Sequence, residues 1–181
     1  MCTVSYVFSN GKVIITSNRD EQLLRPSAIE PKLYVIKNKN IIFPKDQKAG
    51  GTWYAIKDDA TILVLLNGAK EKHDLKQTYR KSRGLIVLDL ISAKTAISEW
   101  KLIDLSYIEP FTLVLFESKK LYQLRWNEVE KETIILNENQ NYIWSSSTLY
   151  STKTREERVD WFTQFTFDKT LLTPSDMYDF H

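Results

Sequence analysis

Met1-Cys2-Thr3-Val4-Ser5-Tyr6-Val7-Phe8-Ser9-Asn10-Gly11-Lys12-Val13-Ile14-Ile15-Thr16-Ser17-Asn18-Arg19-Asp20-Glu21 opens the chain and sets its architecture. Thr3–Phe8 and Lys12–Ser17 are β-branched and aromatic runs, and Asn10-Gly11 between them signals a tight hairpin turn. Because side chains alternate along a strand, Cys2 shares a face with Val4, Tyr6 and Phe8. Val13, Ile15, Ser17 and Arg19 share a face on the partner strand. Both faces carry enough apolar residues to predict burial on two sides. Cys2 is also the only cysteine of the chain. Methionine is generally trimmed before a small residue, so the mature protein is expected to begin with a cysteine. Its α-amine, which titrates at about 7.7 to 8.0, can accept the thiol proton. Two readings of Cys2 stay open: a nucleophile that carries its own base, or a small apolar residue buried on an N-terminal strand.

Beyond the hairpin, strands are expected at Lys32–Lys37, Thr52–Asp58 and Thr61–Leu66, the last two joined by a turn at Asp58-Asp59. The conformation of 38–48 does not follow from its residues. From Gly84 to Trp100, Leu85, Leu88, Ile91, Ala93, Ala96, Ile97 and Trp100 recur at helical spacing and predict one or two helices. Strands return at Phe111–Glu117 and Lys120–Trp126, a hairpin through Ser118-Lys119, and then at Glu132–Leu136 and Tyr142–Ser145. Thr154 and Glu157 fit a capping box ahead of Val159, Phe162 and Phe165, which predicts a helix over Thr154–Asp168. Groups of strands alternating with groups of helices favour a layered α+β domain over a doubly wound one.

The 181 residues suit one domain, 1–181, with enough chain for a real core. A net charge of +2 gives no reason to expect nucleic acid as a partner, and no recognition motif is present. A single cysteine cannot form an internal disulfide, so no oxidising compartment is required. The N-terminus lacks the basic region and apolar stretch of a signal peptide. The longest nearly apolar run, Gly84–Ile91, is far shorter than the ~20 residues that cross a bilayer. A cytoplasmic protein with no transmembrane segment is expected. His73 and His181 are neither spaced nor paired as metal ligands, so no metal site and no resident cofactor are expected.

Asn18-Arg19-Asp20-Glu21 is followed or flanked by Met1-Cys2-Thr3, Arg25-Pro26, Gly50-Gly51-Thr52-Trp53, Leu66-Asn67-Gly68 and Ser82-Arg83-Gly84. In these motifs and their order the chain resembles the NRDE family, whose metazoan branch is the transport and Golgi organisation type. The resemblance is strong over most of residues 1 to 117 and thins beyond. It implies an N-terminal-nucleophile hydrolase-like fold: an αββα sandwich of two mainly antiparallel sheets between helical layers, similar to bile-salt hydrolases and penicillin V acylases. In those acylases an N-terminal Cys attacks an amide carbonyl, an Arg and an Asp near the second strand flank it, and an Asn contributes to the oxyanion hole. Carried over, the catalytic candidates are Cys2, Arg19, Asp20 and Asn67.

Physical chemistry gives these residues roles and alternatives. A guanidinium near Cys2 favours thiolate, and Asp20 can hold the α-amine, although an Asp so placed also favours the ammonium and weakens the base. The plainer reading of Asn18–Glu21 is a charged strand end with Arg19 paired to a carboxylate. Asn67 closes the apolar run Ile62–Leu66, where its amide could donate to an oxyanion or simply make an Asn-Gly turn. Gly50-Gly51 suits a tight turn, and Trp53 is expected in the core. Where family members carry a Leu-Ser-Asn element, this chain has Trp144-Ser145-Ser146-Ser147-Thr148, so a second pocket amide is replaced by hydroxyls. Relatives usually continue past a pair like Phe180-His181, so a chain shortened there would leave one sheet incomplete. The basic segment Lys70–Arg83 reads as solvated surface or as an attractor of phosphate, carboxylate or haem propionates. Two functions follow. One is an N-terminal cysteine amidohydrolase or acylase on a small amide or acyl substrate. The other is a non-catalytic carrier of a hydrophobic ligand such as haem or an acyl lipid, in keeping with the haem, lipid and secretion roles attributed to proteins of this kind.

Overall fold

Turn chemistry and alternation build most of this molecule. The computed structural model describes residues 3–19 and 26–181; Cys2 and Asp20 therefore lie outside the described residues. β1 (Thr3–Ser9) and β2 (Lys12–Asn18) form the opening hairpin, closed by Asn10 and Gly11, both at positive φ. β10 (Tyr142–Ser145) pairs with the other edge of β1, giving a small sheet in the order β10-β1-β2. A larger sheet runs in chain order from β3 (Ile29–Ile36), β4 (Lys39–Lys45), β5 (Tyr54–Lys57) and β6 (Ile62–Asn67) to β7 (Phe111–Glu117), β8 (Lys120–Trp126) and β9 (Lys131–Leu136). Every pairing in both sheets is antiparallel.

Helices cover the two outer faces. α1 (Arg83–Ile91) and α2 (Ala96–Leu102) lie on the large sheet, where Ile86, Leu90, Ile91 and Trp100 pack with Leu63, Leu113 and Leu124. α3 (Thr152–Phe167) and α4 (Pro174–Phe180) lie on the small sheet, with Phe162 and Met177 against Val7. Between the sheets Val4 and Tyr6 meet Val64, Leu66 and Val114, with Phe8, Val13 and Ile15 at the margin. The order α1–α2, large sheet, small sheet, α3–α4 is the expected αββα sandwich. The alternation read from the first strand decides which of its residues face the large sheet and which face α3 and α4. No helix among the described residues is long and apolar enough to cross a membrane.

Four local readings are revised. Residues 38–48 contain a strand, β4, because Lys37 and Asn38 both take positive φ and turn the chain straight back along β3. α3 starts earlier than Thr154: Ser151 is its N-cap, and its hydroxyl accepts the Thr154 N–H at 3.1 Å. α4 was not expected at all, yet Thr173 and Asp176 form a reciprocal capping box with Pro174 in the first turn. β5 is also shorter than Thr52–Asp58, since Thr52 N–H leaves the ladder to donate to Gly84 O at 3.1 Å.

Candidate active site

β2 ends at Asn18, and Arg19 follows it to the margin between the two sheets. The Arg19 guanidinium donates to Asp46 Oδ2 at 2.7 Å and lies 4.3 Å from the centre of the Trp53 ring. The pair is mostly buried, the side chains being 14% and 10% exposed. Asp46 is itself held by its loop: Oδ1 accepts the N–H groups of Lys48 and Ala49, and its backbone bonds to Gly50 and Gly51. Gly51 then passes so close to the start of α1 that a Cβ there would stand 2.6 Å from Leu85 N. That approach brings Arg83 beside Trp53.

These side chains enclose a cavity of about 250 Å³ lined by Arg19, Asp46, Trp53, Asn67, Arg83 and Glu109, among others. Arg83 bonds Glu109 at 3.0 Å and the Pro110 carbonyl at 3.1 Å, while His73 Nε2 stands 3.4 Å from Glu109. Two cations and two carboxylates therefore balance around the opening. Asn67 closes β6 opposite Phe111 and is nearly buried. Its carbonyl accepts the Ser146 hydroxyl at 2.8 Å, and Gly68, at positive φ, leaves no room for a Cβ against Ser147 Oγ. Backbone and neighbours thus fix the Asn67–Gly68 turn at the cavity wall.

A second set of bonds anchors the start of β1 from the helix side. Thr3 N–H donates to Asn18 Oδ1 at 3.2 Å, and the Thr3 hydroxyl accepts from Arg158, whose guanidinium lies 4.0 Å from the Tyr150 ring centre. Asn18 Oδ1 also faces His181 Nδ1 at 3.2 Å, and Ser5 Oγ faces His181 Nε2 at 2.8 Å. An amide oxygen only accepts, so Nδ1 carries the proton and Nε2 accepts from Ser5. Burial, and then the charge of Arg158, lower the His181 pKa from 6.5 to about 4. Protonation thus opposes folding: the contribution is complete above pH 6.5 and is lost as pH falls toward 4. We expect the urea midpoint to fall between pH 7 and pH 5, and His181→Asn to flatten that part of the profile; an unchanged slope in the variant would remove His181 as the cause.

Of the residues singled out from sequence, Arg19 and Asn67 come together on one cavity. Cys2 and Asp20 are outside the described residues; their chain neighbours Thr3 and Arg19 sit at the same end of the hairpin, where Thr3 pairs with Asn18. Trp53, expected in the core, packs its inner side on the core and lines the cavity as well. The hydroxyls of Ser146 and Ser147 donate to the carbonyls of Asn67 and Glu71, so they brace the Asn67 turn. The basic segment is largely paired: Lys76 with Glu128, Arg80 with Asp104, Lys81 with Asp89 and Arg83 with Glu109. Asp46, Arg83 and Glu109 were not read as site residues. Two of them had a visible signal: Arg83 stands in the Ser82-Arg83-Gly84 motif, and Asp46 is an Asp placed shortly before Gly50-Gly51, as in turns that bond their own backbone.

The family described as Transport and Golgi organisation 2 matches residues 1–172. Among solved structures, the chain is similar to the Caenorhabditis elegans ortholog of N-acylethanolamine-hydrolyzing acid amidase, with a TM-score of 0.73 and 12% identity over 99% of this chain and 85% of that one. It is also similar to a variant of conjugated bile acid hydrolase from Clostridium perfringens, with a TM-score of 0.54 and 10% identity over 91% of this chain and 57% of that one. Identities this low speak to fold, which is N-terminal-nucleophile hydrolase-like. No curated protein sequence matches the chain.

Proposed function

The chain belongs to the Transport and Golgi organisation 2 family, and from that premise we propose that it is an N-terminal cysteine amidohydrolase acting on a small amide or acyl substrate. The observation that carries this reading is the convergence of Arg19, from the end of the small sheet, and Asn67, from the large one, on a single cavity. In the reaction the Cys2 thiol gives its proton to its own α-amine as sulfur attacks the substrate carbonyl carbon. The carbonyl electrons move to oxygen, which the Asn67 amide stabilises by donating a hydrogen bond. The tetrahedral adduct collapses, the C–N bond breaks, and the α-ammonium returns the proton to the leaving amine. Water then hydrolyses the thioester, releasing the acid and restoring the thiol. Arg19 favours the thiolate; because Asp46 balances it, its influence is confined to short range. A lone thiol nucleophile is kept reduced in a reducing compartment, which is compatible with the cytoplasm.

The test is an intact mass of the purified protein before and after a thiol-directed acylating probe. We expect loss of Met1, faster labelling of Cys2 than of free cysteine, and labelling slowed roughly tenfold by Arg19→Ala, the effect of one pKa unit on the thiolate fraction. Retention of Met1, or labelling no faster than free cysteine, would end the hydrolase reading.

Carriage of a hydrophobic ligand draws on a different observation. Leu33, Val35 and Ile42 share the face of β3 and β4 opposite the α1–α2 side, and all three are exposed. A ligand held there would bind equally well to Cys2→Ala protein.

A further inference from the structure

Asn67 lines two cavities, and the second differs from the first in charge. It measures about 160 Å³ and lies on the β7, β8 and β10 side of Asn67, with Arg125, Arg155, Thr112, Trp144 and Ser146 in its wall. The first cavity sets Asp46 and Glu109 against its two arginines, whereas the lining of the second holds Arg125 and Arg155 and no Asp or Glu among the described residues.

Bonding at each arginine points the same way. Arg125 stands opposite Thr112 in the β7–β8 register and gives Nη1 to Glu132 at 3.1 Å. Arg155, near the start of α3, gives Nη1 to the Lys70 carbonyl at 3.0 Å and Nη2 to Thr152 Oγ1 at 3.2 Å. In both, the Nε–H is buried and has no hydrogen-bond partner. A buried donor without a partner is costly, and rarer still in duplicate around one cavity. The hydroxyls nearby are otherwise engaged: Thr112 donates to Gly68 O, Ser146 to Asn67 O and Ser147 to Glu71 O. The arginine side chains are therefore the charged groups of the lining left to meet a ligand.

We propose that this cavity is an oxyanion subsite, taking a carboxylate or phosphate group between Arg125 and Arg155. Each arginine has a carboxylate partner, Glu132 for Arg125 at 3.1 Å and Glu71 for Arg155 at 3.9 Å, but both partners are solvent-exposed and stand outside the lining. Two guanidinium groups in a wall without a carboxylate favour an anion, and the volume fits such a group with a short stem. Its role in turnover rests on the hydrolase reading: with the scissile carbonyl at Asn67, the substrate would carry its anionic end on the β8 side. Binding itself requires no catalysis.

The experiment titrates the purified chain with inorganic phosphate and, separately, with acetate, following calorimetric heat and the fluorescence of the lining Trp144. Saturable binding is expected in the wild type and in Cys2→Ala, and Arg125→Gln is expected to weaken it roughly tenfold or more. Arg125→Lys keeps the charge but not the planar guanidinium fork and should recover only part of the loss. The tighter of the two ions identifies the kind of oxyanion. Absence of saturation by either ion at millimolar concentration would mean a cavity that holds only water and would overturn the proposal, as would an Arg125→Gln protein that folds and binds like the wild type. Because the wild-type titration needs no variant, a misfolded substitution does not decide the matter. Binding without Cys2 activation would leave the subsite and remove the hydrolase; Cys2 activation without binding would do the reverse.

Discussion

Gly51→Ala is expected to lower the unfolding free energy by about 3 kcal/mol, and Gly50→Ala, one residue earlier, by only about 1 kcal/mol. The two glycines are used for different reasons. Gly50 adopts a φ of +71° with open space where a Cβ would go, so substitution there meets only the strain of the left-handed region. At Gly51 a Cβ would collide with the Gly84 carbonyl carbon and stand 2.6 Å from Leu85 N and 2.7 Å from Gly84 O. All three are backbone atoms at the start of α1, where Thr52 N–H bonds Gly84 O, and no rotamer change relieves the clash. The helix must move away from β5, carrying Arg83 from the cavity wall. Urea unfolding of the two variants beside the wild type measures this; equal costs at the two positions would refute the close-approach argument. Gly84→Ala approaches Thr52 N and O at 2.9 Å and should resemble Gly51→Ala.

What could be read in the sequence depended on whether the signal was local. Asn10-Gly11 marked the first hairpin because both residues tolerate positive φ, and the apolar spacing from Leu85 to Trp100 marked α1 and α2 because one face is buried on the large sheet. β4 was hidden by its own pattern: Ile42 is an exposed apolar residue between buried Ile41 and Phe43, so no alternation shows, and the turn before it uses Lys37, a residue with no special tolerance for its φ of 49°. α4 has seven residues and Met177 as its buried anchor, too little for a period, although its Thr173-Pro174 start carried a legible cap. The site divides in the same way. Arg19 and Asn67 sit in recognisable motifs, and each is at the end of a predicted strand. The ion pairs around them join distant loops, Asp46 to Arg19 and Glu109 to Arg83, and pairing between loops leaves no periodic trace. Arg125 is likewise a single charge within the strand Lys120–Trp126, and only the fold brings Arg155 to the same cavity.

Asp46→Ala should cost about 3 kcal/mol of stability, and more of it than a surface ion pair could explain. The carboxylate serves two structures at once. Oδ2 accepts from Arg19 at 2.7 Å, and Oδ1 accepts from Lys48 at 3.0 Å and Ala49 at 2.8 Å. Removing it leaves a largely buried guanidinium without this counter-charge and takes two bonds from the loop that positions Gly51. Asp46→Asn separates the two effects, because an amide oxygen can still accept from Lys48 and Ala49 while its NH2 faces the Arg19 donors. The Asn variant is therefore expected to lose about half as much as Ala and to disturb Arg19 selectively. Arg19 stacks on Trp53, so a change in Trp53 emission in Asp46→Asn, with little change in the rest of the fold, reports that disturbance. A thiol-labelling rate at Cys2 that drops with it would tie Asp46 to the chemistry through Arg19. Should Asp46→Asn match the wild type in stability and emission, the Arg19–Asp46 pair would be an ordinary surface contact and the cavity would owe its shape to the glycine approach alone.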